Sequence, residues 1–136
     1  MRILVTGGYG FIGSCLIKKL LKNKKNYVLN IDSKSYSSMP ESLIEYKNNN
    51  QYLYKNINIT NYQKLNNILL KFKPNTIYHL AAESHVDNSI KSPDIFINTN
   101  ILGTYNLLDI SKNYLKKYKI YNFKFIHIST DEVYGS

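Results

Sequence analysis

The chain has 136 residues, 43% of them hydrophobic, and a formal net charge of +9. This length suits a single domain, and no apolar run approaches the ~20 residues that a membrane-spanning helix needs. The lysines are scattered over the whole chain, which favours a solvated surface over a nucleic-acid-binding patch. The single cysteine excludes an internal disulfide and fits a cytoplasmic protein.

The first half of the chain alternates between strand-like and helical patterns. Arg2–Thr6 predicts a short buried strand, followed by a glycine-rich turn over Gly7–Gly13. Apolar residues at helical spacing then predict a helix that reaches Lys22. A second strand over Tyr27–Ile31 ends at Asp32. A loop, a short helix over residues 41–46 and a third strand over residues 52–57 complete this half.

The second half repeats the alternation. A helix from Thr60 or Asn61 to about Phe72 is followed by a fourth strand over Thr76–Ala82, and Glu83–Ser92 is expected to be irregular. Pro93 suits the first turn of a helix that reaches Tyr118. One face of that helix carries Ile97, Ile101, Tyr105 and Leu108. The fifth strand covers residues 123–129, with His127 expected in the core.

Strands that alternate with helices of about 10 residues or more indicate crossover units and a parallel sheet. Because such crossovers are right-handed, the pattern predicts an α/β fold with a doubly wound, Rossmann-type sheet in the order 3-2-1-4-5. We expect residues 1–136 to form one dinucleotide-binding domain. The last strand of such a sheet is not among the predicted elements, so the domain is expected to be truncated.

The stretch "TGGYGFIG" has the features of a phosphate-binding turn. Gly7, Gly10 and Gly13 lie between a strand and a helix, where a tight turn, close approach of the backbone to a pyrophosphate and helix packing all require glycine. Asp32 follows at the end of the second strand, at about the distance of the acid that binds the adenosine ribose. A carboxylate there would repel a 2′-phosphate, so NAD is favoured over NADP.

Four motifs together resemble a known family. The glycine spacing is that of the extended short-chain dehydrogenases, and three further stretches, "HLAAESHVDNSI", "NTNILGT" and "ISTDEVYG", resemble the dTDP-glucose 4,6-dehydratases. The resemblance runs over the whole chain. Its most specific part is Thr130-Asp131-Glu132, since related epimerases usually carry small hydroxyl residues there.

The resemblance implies a set of cofactor contacts. Gly7, Gly10 and Gly13 with Phe11 and Ile12 would hold the pyrophosphate. The remaining NAD-binding residues implied by the family are Asp32, Asn58, Ile59, Leu80, Ala81, Ala82, Ser84 and Thr99. Ser84 would also lie near the substrate, and His85 beside it is given no chemical role. No metal site is expected, because no histidine has metal-ligand spacing to the cysteine.

The family also implies the chemistry of the paired carboxylates. Thr130 would hydrogen-bond the sugar, Asp131 would be the acid of dehydration and Glu132 the base. One carboxyl group must be ionised while its neighbour is protonated, and close like charges in different surroundings favour that split. Two departures from the family stand out: Asn58 occupies the place of the usual Asp, and Ser33 follows Asp32 where Lys is usual.

Sugar oxidation in this family starts from a tyrosine with a lysine four residues later. None of the 13 tyrosines in this chain is followed by such a lysine. The chain is therefore expected to be the cofactor-binding part of a nucleotide-sugar dehydratase, acting on a nucleotide-diphosphate sugar. Full-length relatives are expected to be homodimers, and a complementing C-terminal chain is possible here. The alternatives are a non-catalytic NAD-binding module and an epimerase or decarboxylase relative.

Overall fold

The computed structural model describes residues 1–135, and of Val86, Asp131 and Glu132 it describes the backbone alone. Its five strands are β1 (Arg2–Thr6), β2 (Tyr27–Asp32), β3 (Tyr52–Asn56), β4 (Thr76–His79) and β5 (Lys124–His127). All neighbouring pairs are parallel, in the order β3-β2-β1-β4-β5. The predicted α/β class and strand order are confirmed.

Helices connect these strands. They are α1 (Phe11–Leu21), α2 (Tyr62–Phe72), α3 (Val86–Lys91), α4 (Pro93–Phe96) and α5 (Thr104–Tyr118). Pro40–Tyr46 and Asp131–Tyr134 are 3₁₀ turns, and Ile97–Gly103 is a π-helical segment between α4 and α5. Asn61 caps α2 by accepting from the Lys64 N–H at 3.0 Å.

Helices cover both faces of the sheet, so the strands are apolar on both sides. One face packs Leu4, Leu29 and Ile77 of the sheet against α2 and α5. The other packs Ile3, Val5 and Val28 against Ile17 and Leu21 of α1. This explains why β1 is an almost continuous apolar run. Among the described residues, no helix is long and apolar enough to cross a membrane.

Several expectations about the secondary structure were wrong, among them the extent of the fifth strand, which covers Lys124–His127 instead of residues 123–129. The segment Glu83–Ser92, expected to be irregular, contains α3, which is too short for a periodic pattern to reveal. The fourth strand ends at His79 instead of Ala82, because its partner β1 ends at Thr6, where Gly7 turns away. The long helix after Pro93 is interrupted by the π-helical segment.

One apolar stripe, which runs along the π-helical segment and α5, is exposed. Ile97, Ile101, Tyr105 and Leu108 are between 49% and 65% exposed. The opposite face of α5 carries the residues that pack on the sheet, Leu107, Ile110 and Tyr114. This helix is therefore apolar on two sides, only one of which is covered within the described chain.

Candidate functional site

The turn between β1 and α1 is pressed against the chain that follows β4. Gly7 has a left-handed backbone with φ 72°, and its N–H donates to the Ile31 carbonyl at 2.9 Å. A Cβ at Gly7 would lie 2.7 Å from the Ala81 backbone nitrogen, and one at Gly13 would lie 2.2 Å from the Gly7 carbonyl oxygen. The turn has no room for side chains at these two positions.

α1 begins at this turn without a side-chain cap. Its N-cap residue is Gly10, whose lack of a side chain leaves the helix start without a side-chain cap, and its first turn has no acidic residue. A helix start leaves N–H groups without intrahelical acceptors and carries the positive end of the helix dipole. Phe11 and Ile12 in the first turn are 75% and 61% exposed. The start of α1 is thus open to an anion such as a pyrophosphate.

Asp32 lies at the end of β2 and is 7% exposed. Its Oδ2 atom accepts from the Tyr9 N–H at 3.0 Å. Its Oδ1 atom accepts from the Lys34 N–H at 2.8 Å and from the Ser38 hydroxyl at 2.9 Å. The carboxylate therefore ties the glycine turn to the loop after β2. Of its roughly four acceptor positions, these bonds leave about one for a ribose hydroxyl.

A cavity of about 570 Å³ opens at the carboxyl edge of the sheet. It lies where the strand order reverses, between β1 and β4, which is where ligands bind in sheets of this order. It brings together most of the residues predicted to contact a cofactor: Gly7, Gly10, Asp32, Asn58, Ile59, Leu80, Ala81, Ala82 and Thr99. The other described candidates lie outside its lining: Phe11, Ile12, Gly13, Ser84 and Thr130.

Two walls of the cavity consist of residues that were not among the predicted cofactor contacts, although the resemblance implied that the loop after Asp32 helps to hold the ribose. One is the loop after β2, whose lining residues are Ser33, Ser35, Tyr36, Ser37 and Ser38. A run of hydroxyl side chains directly after Asp32 was a usable signal for this wall. The other wall comes from α3 and α4 and comprises Asn88, Lys91, Ser92, Ile95 and Phe96. No signal for it was available, since α3 itself was not predicted.

Asn58 has a local structural role in addition to its place in the cavity. Its Oδ1 atom accepts from both the N–H and the hydroxyl of Thr60, each at 2.9 Å. A carbonyl oxygen has two lone pairs, so this atom is already occupied. The adjacent Ile59 is buried, and a Cβ at Gly103 would lie 2.5 Å from its Cδ1 atom. Gly103 therefore lets the start of α5 approach the cavity floor closely.

The π-helical segment holds the chain that leaves β4. The Asn100 side chain accepts from the Glu83 N–H at 2.8 Å and donates to the Glu83 carbonyl at 2.9 Å. These two bonds fix the backbone immediately after Ala82, which lines the cavity. The motif "NTNILGT" thus supplies Asn100 as a clamp and Gly103 as a close contact.

A buried histidine lies under the cavity floor. His79 is 1% exposed, with its Nδ1 atom 2.7 Å from the Thr6 hydroxyl and its Nε2 atom 2.9 Å from the Thr104 hydroxyl. The Thr6 hydroxyl also accepts from the Ala81 N–H at 3.3 Å. Burial and then the neighbouring His127 lower the pKa of His79 to about 4. His79 is therefore neutral, with one nitrogen donating and the other accepting.

His127 was expected in the core, and this was wrong. It is the last residue of β5 and is exposed, with its ring stacked on that of His79 at a centroid distance of 5.0 Å. β5 is at the edge of the sheet, so among the described residues no further strand lies beside His127 on its outer side. The buried histidine of the pair is His79, in the motif "HLAA".

The predicted dehydration residues follow the end of β5. The Ile128 N–H donates to the His79 carbonyl at 3.0 Å, which brings this segment to the same sheet edge as the cavity. Thr130 is exposed, and Asp131–Tyr134 forms a 3₁₀ turn. The side chains of Asp131 and Glu132 lie outside the described part of the structure. Their predicted roles as acid and base therefore stay predictions.

The sheet order, the glycine turn at the switch point and the acid at the end of β2 define the Rossmann class of dinucleotide-binding folds. A family model described as GDP-mannose 4,6 dehydratase matches residues 4–136. The chain belongs to that family.

Two individual relatives with similar sequence or structure are dTDP-glucose 4,6-dehydratases. The chain is 47% identical over 138 residues to a dTDP-glucose 4,6-dehydratase from Haemophilus influenzae, covering 99% of this chain and 41% of that protein. A dTDP-glucose 4,6-dehydratase from Streptomyces venezuelae, solved with NAD bound, has a TM-score of 0.87 and 35% identity, covering 100% of this chain and 41% of that one. The resemblance seen in the motifs is confirmed.

An enzyme of different activity has the same fold. The UDP-glucuronic acid 4-epimerase from Bacillus cereus, solved with UDP-glucuronic acid and NAD, has a TM-score of 0.85 and 35% identity, covering 100% of this chain and 42% of that one. The fold alone therefore does not distinguish dehydratase from epimerase. The chain spans about two fifths of the length of these relatives.

Proposed function

We propose that residues 1–136 are the NAD-binding domain of a dTDP-glucose 4,6-dehydratase. The observation that carries the proposal is the cavity in which the glycine turn and Asp32 lie together. Relatives at 42–47% identity over nearly the whole chain are dTDP-glucose 4,6-dehydratases, which supports the choice of activity. The substrate would be a nucleotide-diphosphate sugar.

The residues present fit NAD. A Cβ at Gly7 or Gly13 would collide with backbone atoms, so the turn needs both glycines, and Gly7 and Gly10 line the cavity that a pyrophosphate would enter. The uncapped start of α1 would donate N–H groups to its oxygens. Asp32 has one acceptor position left for the adenosine ribose, and its charge would repel the 2′-phosphate of NADP.

The dehydration step would fall to the segment after β5. NAD, when bound, would supply the hydride acceptor for oxidation of carbon 4 and the hydride donor for carbon 6, with a proton added at carbon 5. Once carbon 4 is a ketone, the hydrogen on carbon 5 is acidic. Glu132 would then remove that proton while Asp131 protonates the hydroxyl leaving carbon 6, and Thr130 would hold the sugar. The Thr-Asp-Glu sequence favours this reaction over epimerisation.

Oxidation at carbon 4 needs a base that these residues do not offer in the family's form, since no tyrosine is followed by lysine four residues later. We therefore propose that the chain alone is a non-catalytic NAD-binding unit. The tyrosine–lysine couple and the contacts to the nucleotide would come from a C-terminal part, whether on the same polypeptide or on a complementing chain.

A homodimer is the proposed assembly of the complete enzyme. The exposed stripe of Ile97, Ile101, Tyr105 and Leu108 supports it, because contiguous apolar surface of this kind marks contact sites. A second copy that packs the same stripe against this one would remove it from water with two-fold symmetry.

A chimera tests the proposed activity. The 136 residues are fused to the part of the Haemophilus influenzae relative that they do not cover, and dTDP-glucose is supplied. We expect dTDP-4-keto-6-deoxyglucose from the chimera and none from the 136 residues alone. Glu132→Gln in the chimera should stop the reaction after oxidation, so that reduced cofactor accumulates. An epimerised product, or turnover by the 136 residues alone, would contradict the proposal.

A further inference from the structure

A contact joins two segments that line the cavity. Tyr36 comes from the loop after β2 and Asn88 from α3, and both residues line the cavity. The Asn88 side-chain amide donates to the Tyr36 hydroxyl at 3.0 Å. The Tyr36 ring also lies against the His85 imidazole, with centroids 5.7 Å apart. The bond joins residues that are 52 positions apart in the chain, and it is exposed instead of buried in a core.

Both ends of this contact are anchored. On the side of Tyr36, Asp32 accepts from Lys34 and Ser38, and the Met39 N–H donates to the Tyr9 carbonyl at 2.8 Å. Tyr36 thus lies in the middle of a loop whose two ends are fixed by hydrogen bonds to Asp32 and to Tyr9 of the glycine turn.

On the other side, Asn88 lies within the turn of α3. Its N–H donates to the His85 carbonyl at 3.0 Å, and its own carbonyl accepts from the Ser92 N–H at 2.9 Å. The helix and its N-cap residue therefore hold both Asn88 and His85 in contact with Tyr36. The contact lies at the protein surface, since Tyr36 is 64% exposed. A single exposed hydrogen bond between two anchored walls is easily opened without disturbing either wall.

We propose that Tyr36 and Asn88 form a strap that retains the dinucleotide in the cavity. The inference rests on the proposed function, in which the cofactor ends each turnover in its starting redox state and has no need to leave. A contact between these two walls would then slow dissociation at no cost to turnover. Tyr36 and Asn88 are positioning residues in this view, because they act by holding the serine-rich loop and α3 together over the ligand.

The strap predicts a change in the dissociation rate. In the 136-residue chain, Tyr36→Phe removes the acceptor hydroxyl and keeps the ring, and Asn88→Ala removes the donor. We expect each to speed the release of NADH by about 2–10-fold, the range that corresponds to one hydrogen bond. The double variant should release NADH no faster than either single variant, because both remove the same bond. Stopped-flow fluorescence with excess NAD as competitor measures the rate.

The control is Tyr121→Phe, which removes a hydroxyl from a tyrosine that is 89% exposed and outside the cavity lining. It should release NADH at the wild-type rate, and all variants should keep the wild-type melting temperature. If the wild type binds NADH while both strap variants release it at the wild-type rate, or if their effects multiply in the double variant, the strap is wrong and the proposed function stands. If the wild type binds no NADH, the proposed function fails and the strap with it.

Discussion

The Nδ1 atom of His79 lies 2.7 Å from the Thr6 hydroxyl, and this bond joins the last residues of two neighbouring strands beneath the cavity. Thr6 precedes Gly7, and its hydroxyl also accepts from the N–H of Ala81. The neutral imidazole of His79 thus helps to position Gly7 and Ala81, which both line the cavity. The bond from His79 to Thr104 extends the connection to α5.

This arrangement predicts that the protein loses stability in mild acid. His79 has its pKa lowered from 6.5 to about 4, so the unfolded state binds a proton before the folded state does. Above pH 6.5 His79 is neutral in both states and does not lower the free energy of unfolding. As pH falls from 6.5 to 4, protonation of the unfolded state lowers that free energy. We expect a loss of about 3 kcal/mol in the free energy of unfolding over that window from this residue. Urea unfolding at a series of pH values measures it.

Two variants separate this effect from other titrations. His79→Gln should be less stable at neutral pH and should lose less stability between pH 6.5 and 4. His85→Gln changes an exposed histidine and should leave the slope unchanged. The groups that face His79 are the Thr6 and Thr104 hydroxyls and the rings of Phe125 and His127. An unchanged slope in His79→Gln would refute the assignment.

The glycine turn predicts a contrast between two similar substitutions. A Cβ at Gly13 would lie 2.2 Å from the Gly7 carbonyl oxygen, whereas the nearest atom to a Cβ at Gly10 is 3.3 Å away. Gly13→Ala should destabilise the protein by about 1–3 kcal/mol and weaken NAD binding at least about tenfold, because the backbone must move. Gly10→Ala should have a much smaller effect on stability, because its Cβ meets no atom closer than 3.3 Å. Thermal melts compare the two variants, NAD titration measures the affinity of Gly13→Ala, and equal losses of stability would contradict this packing.

Asp32 predicts the choice between NAD and NADP. Asp32→Asn removes the charge that opposes a 2′-phosphate and one of the oxygens that accept from Tyr9, Lys34 and Ser38. NAD affinity should fall by roughly tenfold, and the preference for NAD over NADP should shrink. Asp109→Asn alters a carboxylate on α5 outside the cavity and should change neither. Retained discrimination in Asp32→Asn would show that another group senses the phosphate.

The exposed stripe on the last helix predicts self-association. Ile101 is 65% exposed and lies in the middle of that stripe. Ile101→Lys should lower the apparent mass in sedimentation velocity if copies of the chain pair through this face. Ile44→Lys is the matched control, since Ile44 is 66% exposed but lies on the 3₁₀ turn Pro40–Tyr46. A wild-type chain that sediments as a monomer at high concentration would contradict the proposed interface.

The fold was predictable because its signals are local. Apolar runs such as Arg2–Thr6 and the helical spacing after Phe11 identify each element, and the alternation of strands and helices determines the sheet order. The glycine turn was equally legible, since its steric demand falls on the glycines themselves. Asp32 was predicted from its position at the end of a strand.

The rest of the site depends on contacts between distant residues. His79 lies in a strand whose sequence does not show that two threonines from β1 and α5 meet its ring. Tyr36 and Asn88 meet only because α3 forms, and six residues are too few for a periodic signal. The outward stripe at Ile101 and Tyr105 was visible as a helical face, but its exposure depends on which face packs on the sheet.

Calorimetric titration of NAD and of NADP into the 136-residue chain shows whether the glycine turn and Asp32 form the proposed NAD site. We expect NAD to bind with a stoichiometry of about one and more tightly than NADP by roughly tenfold, equivalent to about 1.4 kcal/mol. No binding of NAD would exclude the proposed site, and NADP binding as tight as that of NAD would exclude the role of Asp32.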